Sequence, residues 1–158
     1  MLPQRTAAAF ALLVVGGWAS ALVAQDRMQE ALDSLTLRTE YFFTDLATQS
    51  DQKNAFDQLL AGGPLGDPVR SADVQVLVER HNNLAEKYGP SAAAPELVST
   101  KRAGESLVTL KYLYKAERFP IVWYFTYYRP RKLPRPVDGW FVVSLRFDTR
   151  LELLDLAE

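Results

Sequence analysis

The chain has 158 residues and carries 18 basic and 19 acidic side chains, one histidine and no cysteine. This length predicts one folded domain that can bury enough core to be stable without cross-links. The lack of cysteine excludes disulfides, a lipid-modified cysteine and thiolate metal sites, and the balanced charge provides no field for nucleic acid. No loop has the spacing of a calcium site, so we expect no metal and no cofactor.

The first 24 residues have the order of a secretory signal peptide. A positive region ending at Arg5 precedes an apolar run, and small residues then lead to a polar exit. We predict export, to the periplasm or the medium, with cleavage near Ala21 or Ala24 and a single domain over residues 25–158. The alternative is an uncleaved membrane anchor formed by residues 7–24, which is near the lower length limit for a span.

The next part of the chain predicts three helices, because its apolar residues recur three, four or seven positions apart. The first predicted helix runs from Asp26 to about Gln49. The second is shorter and ends in the segment AGGPLGDP, where glycines and prolines disfavour further helix. The third begins between Pro68 and Ser71 and stops at Gly89, which precedes a proline.

After the segment PSAAAP the apolar period changes from 3.6 to 2, which predicts strands. ELVSTKR is a weak first strand, and three longer strands follow, joined by loops so short that the strands must pair antiparallel. We assign their strongly apolar face to the helices, so the fold class is α+β, with three N-terminal helices packed on one face of a curved antiparallel sheet. The predicted inner face consists of Val108, Leu110, Tyr112, Tyr114, Ile121, Trp123, Phe125, Tyr127, Phe141, Val143, Leu145 and Phe147.

The opposite, outer face of the predicted sheet also keeps many apolar side chains. They are Leu113, Val122, Tyr124, Tyr128, Trp140 and Val142. Without a covering helix they would form a larger apolar patch than monomers usually expose, and Trp and Tyr are enriched at interfaces. We therefore predict a homodimer through the outer sheet face. The alternative is ordinary cross-strand pairing of these aromatics with Thr and Lys.

His81 is the candidate catalytic residue. It lies on the apolar stripe of the third predicted helix and should face the sheet, and its ordinary pKa suits a general base. No acidic partner is placed by spacing, so the alternative is a histidine that belongs to the core. The candidate ligand-pocket residues are Tyr41, His81, Tyr112, Tyr114, Trp123 and Tyr127.

The loop RPRKLPRPVDG between the last two strands carries Arg129, Arg131, Lys132 and Arg135. A basic, proline-rich loop suits docking of an acidic partner or of lipid headgroups. The alternative is a solvated hairpin tip whose charges discourage aggregation. We expect no nucleic-acid partner, because RNA binding would require basic residues interleaved with aromatics on an exposed strand of a protein that is not exported.

The element order and the stretches AFDQLLAGGPL, LVERHNNLAEKYG and FPIVWYFTYYRP resemble small exported bacterial members of the nuclear transport factor two-like (cystatin-like) fold, over roughly residues 26–154. The resemblance implies a sheet wrapped around the helices into a cone, often with a pocket at the open end, and dimerisation through the outer sheet face. Members similar to ketosteroid isomerase use an Asp base and a Tyr donor inside the cone. No acidic residue lies on the predicted inner face here, so that pairing is not carried over.

The expected function is that of an exported, non-catalytic ligand-binding or protein-interaction module. Its partner would be a small apolar ligand or an envelope protein, and it would contact a membrane only if the N-terminal segment stays uncleaved. The alternative is a small enzyme of isomerase, lyase or hydrolase type that uses His81 and the pocket tyrosines. A carboxylate bonded to His81 in an open pocket would favour the enzyme, and a filled apolar interior would favour the module.

Overall fold

A computed structural model describes residues 15–48, 52–66, 71–130 and 139–151. Three helices precede four strands, which confirms the predicted α+β class. The elements are α1 (Val15–Thr48), α2 (Gln52–Leu60), α3 (Ser71–Tyr88), β1 (Glu96–Ala103), β2 (Leu107–Lys115), β3 (Pro120–Tyr128) and β4 (Phe141–Asp148).

Helix α1 starts at Val15, earlier than the predicted Asp26, and passes without a break through the boundary predicted after residue 24. By its contacts the chain divides into two units, one up to Ser34 and one from Leu35 onward. The sheet, α2, α3 and the second part of α1 all belong to the latter unit.

The predicted signal sequence lies largely in residues 1–14, outside the described residues. Export and cleavage near Ala21 or Ala24 therefore stay predictions. Within the described residues, no helix combines the length and the apolar character that a membrane span requires.

The four strands form one antiparallel, unclosed sheet in the order β1-β2-β3-β4. Each strand pairs with its neighbour in sequence. The connections before β2 and β3 are too short for a crossover. The turn between β1 and β2 contains Gly104 with φ 64°, a left-handed conformation that glycine adopts without steric cost. β1 and β4 are the two edges of the sheet.

The inner face of β2 and β3 is buried as predicted, and it forms the centre of an aromatic core. Phe42 and Phe43 of α1 pack edge-on against Trp123 of β3, with ring centroids 5.8 and 5.5 Å away. Trp123 also stacks on Phe147 of β4 at 4.1 Å. Phe56 of α2 lies 6.5 Å from the same indole ring. His81 of α3 lies 5.8 Å from the same ring, so all three helices pack on one face of the sheet. Burial of large aromatic rings dominates the energetics of such a core.

β4 departs from the predicted alternation at its N-terminal end. A register shift after Thr126 pairs Tyr127 with Val142 and leaves Val143 with no residue opposite it. One extra residue in a strand moves each side chain beyond it to the opposite face of the sheet from the one that regular alternation predicts. Val142 therefore shares the inner face of Tyr127 and is 1% exposed, whereas Phe141 takes the opposite face. The prediction that placed Val142 outside and Phe141 inside is wrong, because the extra residue lies between them and the rest of β4.

The turn after α2 explains why glycines end that helix. Gly62 has φ 75°, in the left-handed region that favours glycine at a helix C-terminus. A Cβ on Gly63 would lie 3.0 Å from the Cβ of Phe141 and 3.4 Å from the carbonyl oxygen of Val142. The missing side chain therefore lets this turn approach the start of β4, as the segment AGGPLGDP predicted for the helix end.

Candidate functional site

His81 lies inside the aromatic core and not in an open site. It is 4% exposed, and its ring centroid lies 5.8 Å from that of Trp123 and 6.3 Å from that of Tyr114. Burial away from water lowers the pKa of His81 to about 4, so the imidazole is neutral at physiological pH. Among the described residues, its Nδ1 atom has no hydrogen-bond partner. The carboxylate that would orient a catalytic histidine is therefore not bonded at this nitrogen.

Two of the predicted pocket tyrosines use their hydroxyls to hold α1 against the sheet. The Oγ1 of Thr39 donates to the carbonyl of Leu35 at 2.8 Å and lies 2.7 Å from the hydroxyl of Tyr127. Because a threonine hydroxyl has one proton, Tyr127 must be the donor in the second bond. Tyr112 donates to the carbonyl of Thr36 at 3.5 Å. These hydroxyls are structural.

The six predicted pocket residues do not form one pocket. Trp123 is fully buried, and no described residue forms a hydrogen bond with its Nε1 atom. Tyr41 is 62% exposed on the far side of α1. Burial raises the pKa of Tyr112, with Glu40 as a smaller cause, so this phenol stays protonated. Of the six, Tyr114 lines an open groove in the part of the chain that the structure describes.

The groove beside Tyr114 has a volume of about 650 Å³. One wall comes from the last turns of α1 and the other from the segment that precedes β1. Its lining residues are Glu40, Phe43, Thr44, Ala47, Thr48, Ser91, Ala92, Ala93, Ala94, Pro95 and Tyr114. The sequence offered no periodic signal for the second wall, because SAAAP has the pattern of a connecting segment.

Backbone contacts hold that second wall next to the end of β2. Ser91 forms an isolated antiparallel bridge with Ala116, and the amide of Ala92 donates to the carbonyl of Lys115 at 2.7 Å. Ser91 Oγ donates to the carbonyl of Ala93 at 2.8 Å, which tightens the turn. The groove is therefore preformed in the described structure, as binding sites for small molecules usually are.

The hydroxyls that line the groove already have acceptors. Thr44 Oγ1 donates to the carbonyl of Glu40 at 3.0 Å, and Thr48 Oγ1 donates to the carbonyl of Thr44 at 2.8 Å. Burial raises the pKa of Tyr114, an effect that its hydrogen bonds with Ser91 partly oppose. The groove thus presents methyl groups and aromatic rings, together with the carboxylate of Glu40.

The outer sheet face is much less exposed than predicted. Leu113 is half-buried, and Tyr128 is exposed. Leu151 packs with Leu113 against the buried pair formed by Val122 and Tyr124. Four of the six predicted dimer-face residues are buried in the single chain, namely Val122, Tyr124, Trp140 and Val142.

Cationic side chains cover much of what remains of this face. The guanidinium of Arg146 lies 4.2 Å from the ring centroid of Tyr124, and the ammonium of Lys111 lies 5.6 Å from it. Arg129 is placed similarly over Trp140, at 5.1 Å. Such contacts shield aromatic faces from water. The exposed patch that motivated the predicted dimer is therefore small, and dimerisation through this face stays a prediction.

Most of the basic loop, with Arg131, Lys132 and Arg135, lies outside the described residues. Within them, no group of His, Asp and Glu side chains is arranged to hold a metal ion. The described residues thus offer three features that bear on function, namely the groove, the closed aromatic core and the edge strand β1.

Comparison with protein-family models, with curated proteins and with solved structures finds no match to this chain.

Proposed function

We propose that the protein is a non-catalytic binding module whose groove beside Tyr114 holds a small, largely apolar molecule. The observation that carries the proposal is the groove itself, with its volume of about 650 Å³. Sites for small molecules typically enclose roughly 300–1,000 Å³ and combine an apolar lining with a few polar groups. This size favours a single small molecule over a peptide segment.

The lining defines the chemical class of the ligand. Phe43, Ala47 and Pro95 provide apolar surface, while the hydroxyl protons of Thr44 and Thr48 are engaged by backbone carbonyls. An apolar ligand displaces water there without leaving those donors unpaired. The carboxylate of Glu40 would repel an anionic group, so the ligand is neutral or carries a cationic end.

The alternative of an enzyme that uses His81 and the pocket tyrosines finds no supporting geometry. His81 does not line the groove, and its burial keeps the imidazole neutral through loss of hydration. A general base must come within hydrogen-bond reach of its substrate, and the rings around His81 leave no such approach. Filled packing of this kind supports the binding module.

We also propose that the protein is exported and related in fold to the nuclear transport factor two-like group. The order of charge, apolar run and small residues at the N-terminus supports export. Three helices that precede an antiparallel sheet, with the aromatic face turned toward the helices, support the relation in fold. Intact mass of the protein recovered from an envelope fraction tests export, and a full-length species retained in the membrane would contradict it.

Binding of the neutral apolar dye Nile red tests the groove. Ala47→Trp places an indole into the groove from an exposed position on α1, so the fold should tolerate it. We expect dye affinity to fall by about tenfold or more, since the new ring occupies the ligand's volume. Ala72→Trp, at an exposed position of α3 outside the groove, is the matched control and should bind like wild type. Equal affinity in Ala47→Trp and wild type would refute the proposed site.

A further inference from the structure

We infer that two copies of this chain pair through strand β1, edge to edge and antiparallel. β1 is an edge strand, and within the described sheet β2 is the strand hydrogen-bonded to it. Every residue of β1 is exposed or half-buried, and Leu97 and Val98 are 38% and 44% exposed. A free edge with apolar side chains is a template on which another strand can pair.

The other edge of the sheet is less available. Phe141, Val142 and Phe147 of β4 are buried, and the turn after α2 lies against Phe141. No helix covers the inner side of β1 in the part of the chain that the structure describes, as the exposure of Leu97 and Thr100 indicates. Of the two edges of the sheet, β1 is therefore the more accessible to an additional strand.

The charges of β1 favour a second copy as the partner. The strand reads ELVSTKRA, with an acidic residue at its start and two basic residues near its end. Antiparallel pairing of two identical strands brings the acidic start of one against the basic end of the other, twice by symmetry. A closed two-fold pair also uses the β1 edge of each copy, so it does not propagate into fibres through β1.

The register follows from the faces on which the side chains lie. Glu96 and Lys101 share the outer face, because they pair with Leu113 and Thr109 of β2, both outer-face residues. Side chains directly opposite one another in a ladder must lie on the same face. Glu96 can therefore oppose Lys101 of the partner subunit, whereas a slip of one residue would place it on the wrong face.

The same register also matches the inner face. Leu97 and Thr100 both face inward, opposite Tyr112 and Leu110 of β2. When Glu96 opposes Lys101 of the partner subunit, Leu97 opposes Thr100 of the partner subunit. The two faces agree only because of the register shift between Leu97 and Ser99. The shift adds one residue to β1, so side chains before and after it no longer alternate regularly between the two faces. Bulges and basic residues normally protect an edge from indiscriminate pairing, and here they select one register.

Exposed surface on α1 extends the proposed interface. Leu37, which is 50% exposed, lies one turn before Glu40 and two turns before Thr44, which both line the groove. A two-fold axis perpendicular to the sheet keeps both inner faces on the same side, so both α1 helices flank the joined strands. Each groove would then be bordered by the second copy.

Charge reversal followed by restoration tests the pairing. Light scattering of the full chain at tens of micromolar should give the mass of a dimer. Glu96→Lys and Lys101→Glu should each weaken dimerisation by about tenfold or more, because each replaces two attractions by two repulsions. The double variant Glu96→Lys/Lys101→Glu should restore the dimer, since it re-creates both attractions between the two copies with the signs reversed. Circular dichroism should show all three variants folded.

Two control variants distinguish pairing through β1 from pairing through the outer sheet face. Lys115→Ala removes the ion pair that Glu96 makes within the chain, at 2.7 Å, and should leave the dimer intact. Tyr128→Glu alters an exposed position of the outer sheet face and should also leave it intact. A monomeric wild type, or a folded double variant that stays monomeric, would overturn the inference. Dissociation by Tyr128→Glu but not by the β1 reversals would also overturn it and assign the dimer to the outer face.

Discussion

Strands β3 and β1 flank the same neighbour, β2, yet they differ in what covers them. Five consecutive residues of β3, from Ile121 to Phe125, are buried, whereas no residue of β1 is fully buried. Helices cover one face of β3, and Leu151 with cationic side chains covers the other. The difference shows that burial in this sheet follows the covering elements and not strand position alone.

The two regions should therefore serve different purposes. Burial of aromatic rings around β3 stabilises the fold, whereas the edge of β1, which is exposed in the described structure, would allow association. Changes in β3 should alter the free energy of unfolding, and they should affect association only where the chain no longer folds. Changes in β1 should alter association with little effect on unfolding.

The largest effect is expected for Trp123→Ala. The indole is fully buried and stacks on Phe147 at 4.1 Å, so its loss leaves a cavity in the centre of the core. Such truncations lower the free energy of unfolding by about 3–5 kcal/mol. Urea denaturation followed by circular dichroism measures the change. A midpoint equal to that of wild type would show that the centre of the core lies elsewhere.

A somewhat smaller effect is expected from pH through His81. Burial lowers its pKa from 6.5 to about 4, so the unfolded chain binds the proton more readily than the folded chain. Stability is therefore complete above about pH 6.5, falls as the pH drops toward 4, and loses about 3 kcal/mol over that window.

The control for this pH dependence is His81→Leu, which removes the titrating group from among the surrounding aromatic rings. Urea midpoints measured between pH 7 and 4 should fall less steeply in this variant than in wild type. Identical slopes in the two proteins would mean that His81 is accessible to protons in the folded state.

A moderate effect is expected for Thr39→Val, which removes the acceptor of the Tyr127 hydroxyl. The two oxygens lie 2.7 Å apart, and both residues are fully buried. Removing one partner of a buried hydrogen bond costs about 1–3 kcal/mol. Tyr127→Phe in the Thr39→Val background should then cost less than in wild type. Additive losses in this double-mutant cycle would show that the two groups are not coupled.

The smallest effect on stability is expected for Val98→Ala in β1. The side chain is 44% exposed, and surface changes of this kind usually stay within about 0.5 kcal/mol. The matched comparison is Val122→Ala in β3, where the same truncation removes a fully buried side chain and should cost clearly more. Similar urea midpoints for the two variants would remove the contrast between the strands.

The candidate site combines features that local patterns predict with features that they do not. The apolar stripe of α3 correctly predicted that His81 faces the sheet, because helix periodicity determines which side chains share a face. It did not predict the missing partner of Nδ1, which depends on residues distant in sequence. The groove was missed since one wall, residues 91–95, has no periodicity and gains its position from contacts with Lys115 and Ala116.

The amino-acid sequence by itself determined the order of three helices and an antiparallel sheet, and the inner face of β2 and β3. Those features follow from periods of 3.6 and 2, which are local properties of the backbone. Only the tertiary structure decided the face of Val142, because Phe141, Val142 and Val143 are all apolar and no alternation marks the bulge. The tertiary structure also decided that Leu151 packs against Val122 whereas the residues of β1 are exposed or half-buried. The burial of a strand depends on which segments, distant in sequence, pack against its two faces.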